Sequence, residues 1–276
     1  MNKRMISVSL VIYCNKIEEL TRAIKSVLSS NLVCKIYLID NSINNELKIL
    51  ENLDEERIEY SFQNKNLGFG AGHNIAIKES LSLGYSFHIV INPDIYFDAN
   101  IISTMFNYMN SSSDIGIMMP QILNFDNSIQ YLPKLLASPI SLIKRKFKWP
   151  RKLYQKFLNN YELRSIPKDT IINVPIISGC FTMFNMNAIK KVGFYDERFF
   201  MYFEDWDLSR RIHSHYKTLY FPLVSINHGY KSGANSNFKL FKIFMLSAIK
   251  YFNKWGWFFD YDRVKFNNQV LNKKKA

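Results

Sequence analysis

Acidic residues are missing from two long parts of this sequence. No aspartate or glutamate occurs between Ser128 and Tyr161, and the only acids after Asp207 are Asp260 and Asp262. The whole chain has 36 Lys and Arg against 23 Asp and Glu, which gives a formal net charge of +13. Such an excess favours an anionic partner, namely nucleic acid, a membrane surface or a phosphorylated substrate. The basic residues of the first acid-free part are Lys134, Lys144, Arg145, Lys146, Lys148, Arg151, Lys152 and Lys156.

Cysteine and long apolar runs are also scarce. The three cysteines, Cys14, Cys34 and Cys180, are odd in number and far apart, which excludes a disulfide framework and a zinc site and favours a reducing compartment. No uninterrupted run of about 18 apolar residues exists, so no transmembrane helix is predicted. Residues 1–12 lack the apolar core and cleavage site of a signal peptide. We therefore expect a cytoplasmic protein.

Apolar segments are instead short and alternate with helical patterns. Hydrophobic residues make up 47% of 276 residues, enough for one large domain or two small ones. The alternation predicts βαβ units and an α/β fold with a mostly parallel sheet. A further strand is expected at 174–184, and an edge strand at 218–226 because Pro222 interrupts it. The first four predicted strands are 7–13, 35–39, 58–63 and 86–91.

Polar residues follow the predicted strands. Ligands of such a sheet bind outside the carboxyl ends of its strands. Tyr13 and Asn15 follow the first strand, Asp40 ends the second, and Asp94 follows the fourth in Asn92-Pro93-Asp94. Asp40 has the chemistry to accept from a ribose hydroxyl or a base N–H, and Asp94 to bind a divalent cation that bridges a diphosphate. Turn formation is the alternative for both aspartates.

Three alternating glycines, Gly68, Gly70 and Gly72, follow the third strand and open a helix. Glycines permit close backbone approach, and a helix N-terminus attracts phosphate. The spacing and position match neither the dinucleotide fingerprint nor the P-loop.

Three carboxylates, Glu204, Asp205 and Asp207, follow an aromatic run at 199–203. The helical spacing of the next apolar residues places these acids in the first turn of a helix, where capping accounts for one acid better than for three. A partly dry cleft beside aromatic rings raises a carboxylate's pKa towards the range useful for a general base. His228, at the end of the last strand, is a candidate ligand.

Together these motifs resemble the family 2 glycosyltransferases with the GT-A fold, most closely their rhamnosyltransferase-like branch of bacterial surface-polysaccharide biosynthesis. The similarity runs from the first strand to about Lys231, whereas 128–161 and the part beyond Phe238 lie outside it. The segments that carry it are 8–12, 39–42, 64–74, 92–94, 178–179, 199–211 and His228.

The resemblance implies an inverting transfer of a sugar from a nucleotide-sugar to a saccharide acceptor that is lipid-linked. It favours dTDP-rhamnose as the donor, with a UDP-hexose as the alternative. Asp205 would be the catalytic base, with Glu204 next in line. Asp94 and His228 would hold Mg²⁺ or Mn²⁺, since Asn92 replaces the first acid of the family's D-x-D motif. The nucleotide-sugar pocket would comprise Tyr13, Asn15, Asp40, Asn66, Gly68, Asn74, Asn92, Ser178 and Gly179.

The parts outside the resemblance are basic and aromatic. We expect a GT-A domain at 1–235 with a basic insertion at about 128–161, and a C-terminal helical extension at 236–276. Aromatic residues interleaved with basic ones suit a membrane interface, so we expect peripheral contact with the inner face of the cell membrane. A homodimer through the C-terminal helix is the alternative.

Two other classes of protein remain open on composition alone. A nucleic-acid-binding protein would account for the charge, but no nucleic-acid-binding motif is visible, so no nucleic-acid partner is predicted. A nucleotidyltransferase typically has a basic glycine-rich loop after its first strand, and the segment 13–16 lacks glycine.

Overall fold

The computed structural model describes residues 5–148, 150–229 and 237–273 of the chain. Within them, nine strands form one sheet in the order β3-β2-β1-β4-β8-β6-β9-β5, with β7 paired to β9. The strands are β1 (Ile6–Ile12), β2 (Val33–Asp40), β3 (Ile58–Phe62), β4 (Phe87–Ile91), β5 (Ile95–Tyr96), β6 (Ile115–Leu123), β7 (Ile172–Asn173), β8 (Phe181–Asn185) and β9 (Lys217–His228).

Helices flank this sheet. They are α1 (Ile17–Leu28), α2 (Phe69–Ser82), α3 (Asn100–Asn110), α4 (Pro139–Phe147), α5 (Arg151–Tyr161), α6 (Met186–Val192), α7 (Glu204–His213), α8 (Phe238–Trp255) and α9 (Tyr261–Lys273), with a 3₁₀ helix at Glu46–Leu53. The predicted α/β fold is confirmed. The basic segment 128–161 contains the helices α4 and α5.

The direction of β8 brings two loops together. Strands β1 to β4 are parallel, so β1, β2 and β4 end at one edge of the sheet. Strand β8 runs antiparallel to β4, with Phe181 opposite Ile91. The residues that precede β8 therefore lie beside those that follow β4.

Two predicted strands differ from the observed ones. Within 174–184 only the end is strand, because Ser178 and Gly179 donate their N–H groups to the side chains of Met119 and Asp205 rather than to a ladder. Strand β9 is not an edge, since β6 lies on one side and β5 and β7 on the other. A register shift opposite Pro120 and Gln121 forms a bulge, which accommodates Pro222.

A buried chain of polar side chains joins β1, β4 and α2. Ser9 Oγ lies 2.7 Å from His73 Nδ1 and 2.8 Å from His88 Nε2, and Ser7 Oγ lies 2.8 Å from His88 Nδ1. Burial lowers the pKa of both histidines, that of His88 to about 3, so both are neutral. This network ties α2, whose first turn carries the glycine loop, to the centre of the sheet.

The C-terminal helices pack beside the start of α7. Ser247 of α8 donates a 2.8 Å hydrogen bond to the carbonyl of Met201. The predicted domain boundary at 235/236 lies outside the described residues, and the division remains a prediction. In the parts of the chain that the structure describes, no helix combines the length and the apolar character that crossing a membrane requires. A hydrophobic cluster between α8 and the segment before α7, the aromatic cluster, comprises four aromatic residues and one alanine: Phe199, Phe203, Ala248, Tyr251 and Phe252.

Candidate active site

The chain reverses sharply just before α7. Tyr202 and Phe203 both have φ of +70°, a left-handed conformation that is costly for residues other than glycine. Phe203 is held in the aromatic cluster, with its ring centroid 5.3 Å from that of Tyr251. The first turn of α7, with Glu204 and Asp205, is thereby turned towards the loop before β8.

The three acids of α7 have different surroundings. Asp207 is fully buried and accepts from Arg211 Nε at 2.8 Å and from Trp255 Nε1 at 2.8 Å, while Lys254 Nζ lies 2.6 Å away. Its charge is compensated by two cations, and it anchors α8. The structure therefore leaves two acids, Glu204 and Asp205, for chemistry.

Asp205 receives two backbone hydrogen bonds. Gly179 donates to Oδ2 at 3.2 Å and Trp206 donates to Oδ1 at 2.9 Å. Burial raises the pKa of Asp205, and these N–H groups and the charge of Lys134 oppose that rise. Asp205 is half-buried, so it combines a raised pKa with access to solvent.

Glu204 is more deeply buried. Burial first, and then the neighbouring Asp205, raise the pKa of Glu204 well above its ordinary value. Its Oε2 has no hydrogen-bond partner within the described chain. Because the Gly179 and Trp206 N–H groups stabilise the ionised form of Asp205, while burial and the charge of Asp205 both disfavour ionisation of Glu204, we assign the negative charge of the pair at neutral pH to Asp205 and the proton to Glu204.

A second cluster lies where β4, β5 and β9 meet. His228 Nε2 lies 3.4 Å from Asp94 Oδ1 and 3.2 Å from Asn92 Nδ2. Two ligands of one octahedral cation are about 3 Å apart, so the spacing of Asp94 and His228 suits a divalent ion. Among the described residues, no group of three or more His, Cys, Asp and Glu is placed to hold a metal. Asp94 and His228 thus have the chemistry and the spacing of two ligands of a divalent ion such as Mn²⁺ or Mg²⁺.

Cys180 connects the two clusters. Its carbonyl accepts from the N–H of Asn92 at 2.8 Å, and it directly follows Gly179. Burial raises the pKa of the Cys180 thiol to about 12, and the charges of Asp94 and Asp205 both contribute. Both carboxylates therefore lie near one buried, unreactive thiol, where the end of β4 meets the start of β8, and this region is the candidate cleft.

Asp40 is more deeply buried than the sequence suggests. It is fully buried, and its two oxygens accept from Tyr60 Oη at 2.6 Å and from the Ser42 N–H at 2.8 Å. Ser42 Oγ in turn accepts from the Cys14 N–H at 3.0 Å. The carboxylate thus supports the loops that follow β1 and β2. A contact of Asp40 with a base or a ribose remains a prediction.

Other predicted pocket residues fall into two groups. Tyr13 is 49% exposed after β1, and its N–H donates to Asn15 Oδ1 at 2.8 Å, so both are at the surface of the cleft edge. Asn74 is buried, and its amide contacts the backbone of Tyr195 through both its nitrogen and its oxygen, at 2.9 and 3.0 Å, so its contact with a nucleotide-sugar remains a prediction. Asn74 braces α2 against the segment that precedes α7.

Gly68 brings the glycine loop against the same segment. It has φ of +87°, and a Cβ at this position would lie 2.1 Å from the carbonyl oxygen of Phe200. Asn66 Oδ1 accepts the Gly68 N–H at 2.9 Å and holds the turn. Ser178 accepts from Thr182 Oγ1 at 2.8 Å through its carbonyl and precedes Gly179 in the loop before β8. The glycine loop and the loop before β8 therefore both support the position of the α7 carboxylates.

Two residues at the site were not singled out from the sequence. Tyr60 donates to Asp40, but it lies in a strand whose pattern gives it no special signal. Lys134 has its pKa lowered to about 8, by burial first and then by Arg145, while Asp205 opposes that shift. The only sequence signal for Lys134 is its place in the acid-free segment.

The sheet order, with the end of β4 beside the start of β8, defines the GT-A fold of glycosyltransferases. The structure of GalNAc-T7 with UDP, GalNAc and Mn²⁺ has the same fold, at 16% sequence identity and a TM-score of 0.60, over 82% of this chain and 43% of that one. The family model "Glycosyl transferase family 2" matches residues 9–193. The chain belongs to that family.

Two curated proteins are similar to parts of the chain. An N-acetylglucosaminyl-diphospho-decaprenol L-rhamnosyltransferase of Mycobacterium tuberculosis is 25% identical over 176 residues, which are 59% of this chain and 56% of the relative. The low-salt glycan biosynthesis hexosyltransferase Agl10 of Haloferax volcanii is 25% identical over 206 residues, 74% of this chain and 60% of the relative. The chain thus spans little more than half the length of these relatives.

Proposed function

We propose that this protein transfers a sugar from a nucleoside-diphosphate donor to a hydroxyl group of a saccharide acceptor, with inversion at the anomeric carbon. The single observation that carries the proposal is Asp205: a half-buried carboxylate, held by the Gly179 and Trp206 N–H groups, near the same buried Cys180 thiol as Asp94. Membership of glycosyl transferase family 2 supports the reaction class.

Asp205 is the general base in this proposal. Its carboxylate takes the proton of the acceptor hydroxyl, and the oxygen attacks the anomeric carbon from the face opposite the departing diphosphate. One displacement of this kind inverts the configuration. The two N–H groups keep the carboxylate fixed, and its raised pKa improves its strength as a base.

Asp94 and His228 would hold a divalent cation, Mg²⁺ or Mn²⁺, with Asn92 beside them. A cation bound there would offset the negative charge that develops on the departing diphosphate. Lys134, whose charge acts on Asp205, adds positive potential to the same cleft.

For the donor we propose dTDP-rhamnose, with a UDP-hexose as the alternative. The Mycobacterium tuberculosis relative is named as a rhamnosyltransferase, and the Haloferax volcanii relative as a hexosyltransferase. The former name also specifies an acceptor on a prenyl diphosphate, which supports a lipid-linked acceptor here, in the synthesis of a surface polysaccharide.

The test is calorimetric titration of dTDP and UDP into the purified chain with Mn²⁺, with Mg²⁺ and with chelator. Metal-dependent binding of dTDP in preference to UDP is the expected result, followed by a donor screen that starts with dTDP-rhamnose. Preference for UDP would move the donor to a UDP-hexose. Binding of neither nucleotide would contradict the proposed site.

A lipid-linked acceptor requires access to a membrane, and one face of the protein suits this. We propose that α4 and α8 dock on the anionic inner surface of the cell membrane. Lys146 Nζ of α4 lies 4.5 Å from the ring centroid of Phe241 in α8, so the helices are adjacent. Their exposed apolar residues are Ile140, Ile143 and Phe147 in α4 and Phe238, Met245, Leu246 and Ile249 in α8, and neither helix contains an acid.

Vesicle sedimentation tests this docking. The protein should bind vesicles that contain phosphatidylglycerol at low salt and be released at high salt, because the attraction is partly electrostatic. Phe147→Glu should weaken binding, whereas Leu223→Glu, at an exposed residue of the β9 bulge, should not. Absence of binding at low salt would refute the proposal. Light scattering measures the mass in solution. If the wild-type protein has the mass of two chains and Phe147→Glu has the mass of one, this face belongs to a homodimer instead.

A further inference from the structure

Gln130 lies directly behind His228 and contacts both its backbone carbonyl and its imidazole ring. It is 8% exposed and stands in the hairpin that follows β6, where Ile129 pairs with Leu123. Its Nε2 contacts only oxygens: the carbonyl of His228 at 2.9 Å and Oδ1 of Asn124 at 2.8 Å are the two shortest contacts. Carbonyl oxygens accept hydrogen bonds and cannot donate them, so the amide nitrogen of Gln130 must face this side.

The orientation of that amide determines which tautomer of the neutral His228 ring fits this site. With its nitrogen turned to the carbonyls, Gln130 presents its Oε1 to His228 Nδ1 at 3.0 Å. An amide oxygen only accepts, so Nδ1 must carry the proton. In the neutral ring the lone pair is then on Nε2, the atom 3.2 Å from the Asn92 amide nitrogen and 3.4 Å from Asp94 Oδ1.

We propose that Gln130 is a positioning residue that holds His228 as its Nδ1–H tautomer and aims Nε2, together with Asp94, at a divalent cation. The inference deepens the proposed function and rests on its use of a metal. A histidine that binds a metal through one nitrogen commonly donates its other N–H to a carbonyl or a carboxylate, and loss of that partner weakens binding about 10- to 100-fold. The acid-free segment 128–161 thus contributes Gln130 to the support of the candidate cation site.

A purely structural role for Gln130 gives different expectations. If the side chain only ties the hairpin to β9, its replacement lowers thermal stability but leaves the tautomer and the affinity for a cation unchanged. The tautomer of His228 and the affinity for a cation therefore each need a measurement of their own that does not depend on sugar transfer.

The first readout is the imidazole nitrogen shifts of His228, measured by long-range ¹H–¹⁵N correlation on the metal-free chain and assigned with His228→Gln. The wild-type chain and Gln130→Glu, whose protonated carboxyl keeps an acceptor for Nδ1 and a donor for the His228 carbonyl, should show the Nδ1–H tautomer. Gln130→Met, which has similar volume and no acceptor, should show a mixture. An Nε2–H tautomer in the wild type, or an unchanged tautomer in Gln130→Met, would overturn the proposal.

The second readout is the dissociation constant for Mn²⁺, measured by electron paramagnetic resonance with dTDP present and with UDP present. Gln130→Met should bind Mn²⁺ about 10- to 100-fold more weakly than the wild type, and Gln130→Glu should restore most of the loss. Asn124→Ala is the control, since Asn124 contacts Gln130 but not the imidazole. Equal Mn²⁺ affinity in a folded Gln130→Met variant would overturn the proposal.

Loss of the cation site and loss of the transfer reaction can be distinguished by experiment. Absence of Mn²⁺ binding by the wild-type chain would overturn the cation site at Asp94 and His228 and the role of Gln130 with it. Sugar transfer that persists in chelator would then leave the proposed reaction standing without a metal.

Discussion

The backbone N–H of Gly179 donates a hydrogen bond to Oδ2 of Asp205 at 3.2 Å, across 26 residues of sequence. This contact joins the loop before β8 to the first turn of α7. It also supplies a fixed donor to the carboxylate that burial would otherwise neutralise. The relationship between these two residues therefore defines the candidate base more sharply than the acidic pattern of the sequence.

Asp205→Asn should lower the rate constant for sugar transfer about 10²- to 10⁴-fold, because general base catalysis contributes that much and the amide cannot accept the proton. The dissociation constant for dTDP or UDP should change less than about threefold, since the variant keeps the shape of the side chain. Transfer kinetics and calorimetry measure the two effects. Parallel loss of nucleotide binding and of transfer would contradict the role of Asp205 as base.

Glu204→Gln is the matched variant for the neighbouring acid. Glutamine has the size and the zero charge of the protonated Glu204 that its raised pKa implies. The acid limb of the pH–rate profile reports the pKa of Asp205, which lies above the ordinary carboxyl value, and it should stay in place in this variant. A downward shift of more than about half a pH unit would show that Glu204 ionises in the working range.

Gly68→Ala should destabilise the fold and reduce transfer. The residue has φ of +87°, and the added Cβ would lie 2.1 Å from the Phe200 carbonyl oxygen, which must move and disturb the start of α7. Gly84→Ala is the control, because Gly84 has φ of +77° but no atom within 4 Å of the added Cβ. We expect a loss of about 1 kcal/mol in the free energy of unfolding for Gly84→Ala and at least about 2 kcal/mol more for Gly68→Ala. Urea unfolding measures both, and equal losses would be the contrary result.

The buried histidines make stability depend on pH. The pKa of His88 is lowered from 6.5 to about 3 in the folded protein, so below pH 6.5 the unfolded chain binds more protons than the folded one. The contribution to the free energy of unfolding is complete above pH 6.5 and is lost as the pH falls towards 3, by up to about 1.4 kcal/mol per pH unit for each such histidine.

His88→Gln should reduce that slope by about one proton, while the slopes from His73 and His213 remain, since burial lowers their pKa values too. Replacement of the exposed His215 by glutamine should not alter it. Urea unfolding between pH 7.5 and 5 provides the slopes, and an identical slope for wild type and His88→Gln would refute the prediction.

Asp260→Asn should detach the C-terminal helices. Arg210 and Asp260 are each 2% exposed and are joined by a 2.8 Å hydrogen bond from Nη1, so removal of the carboxylate leaves a buried guanidinium without its main partner. A loss of about 3–5 kcal/mol is typical of a broken buried pair. Asp262→Asn, with a 43% exposed carboxylate 3.8 Å from Arg210, should cost less than about 1 kcal/mol.

Hydrogen exchange supplies the spatial readout for the Asp260→Asn variant. The amides of α8 and α9 should lose protection before those of β1 and β4. If protection fell equally across the sheet, the C-terminal helices would not unfold separately from the rest of the fold.

Local patterns were sufficient for much of the fold. The apolar strands at the start of the chain, the glycine loop that opens α2, and the acids at the start of α7 were all predicted, because side-chain periodicity and helix-end chemistry act over a few residues. Strand β8 was predicted too long, since the N–H groups of Ser178 and Gly179 are taken by side chains from other parts of the chain. Periodicity carries no information on such partners.

The site shows the same division. The sequence by itself determined which residue types were available: Asp205 and Glu204 at a helix start, Asp94 at a strand end and His228 at another. Only the tertiary structure decided that Asp207 is compensated by Lys254 of α8, and that Gln130 reaches His228 across 98 residues of sequence. Charge compensation and tautomer choice depend on distances of about 3 Å between segments remote in sequence, and packing alone sets these distances.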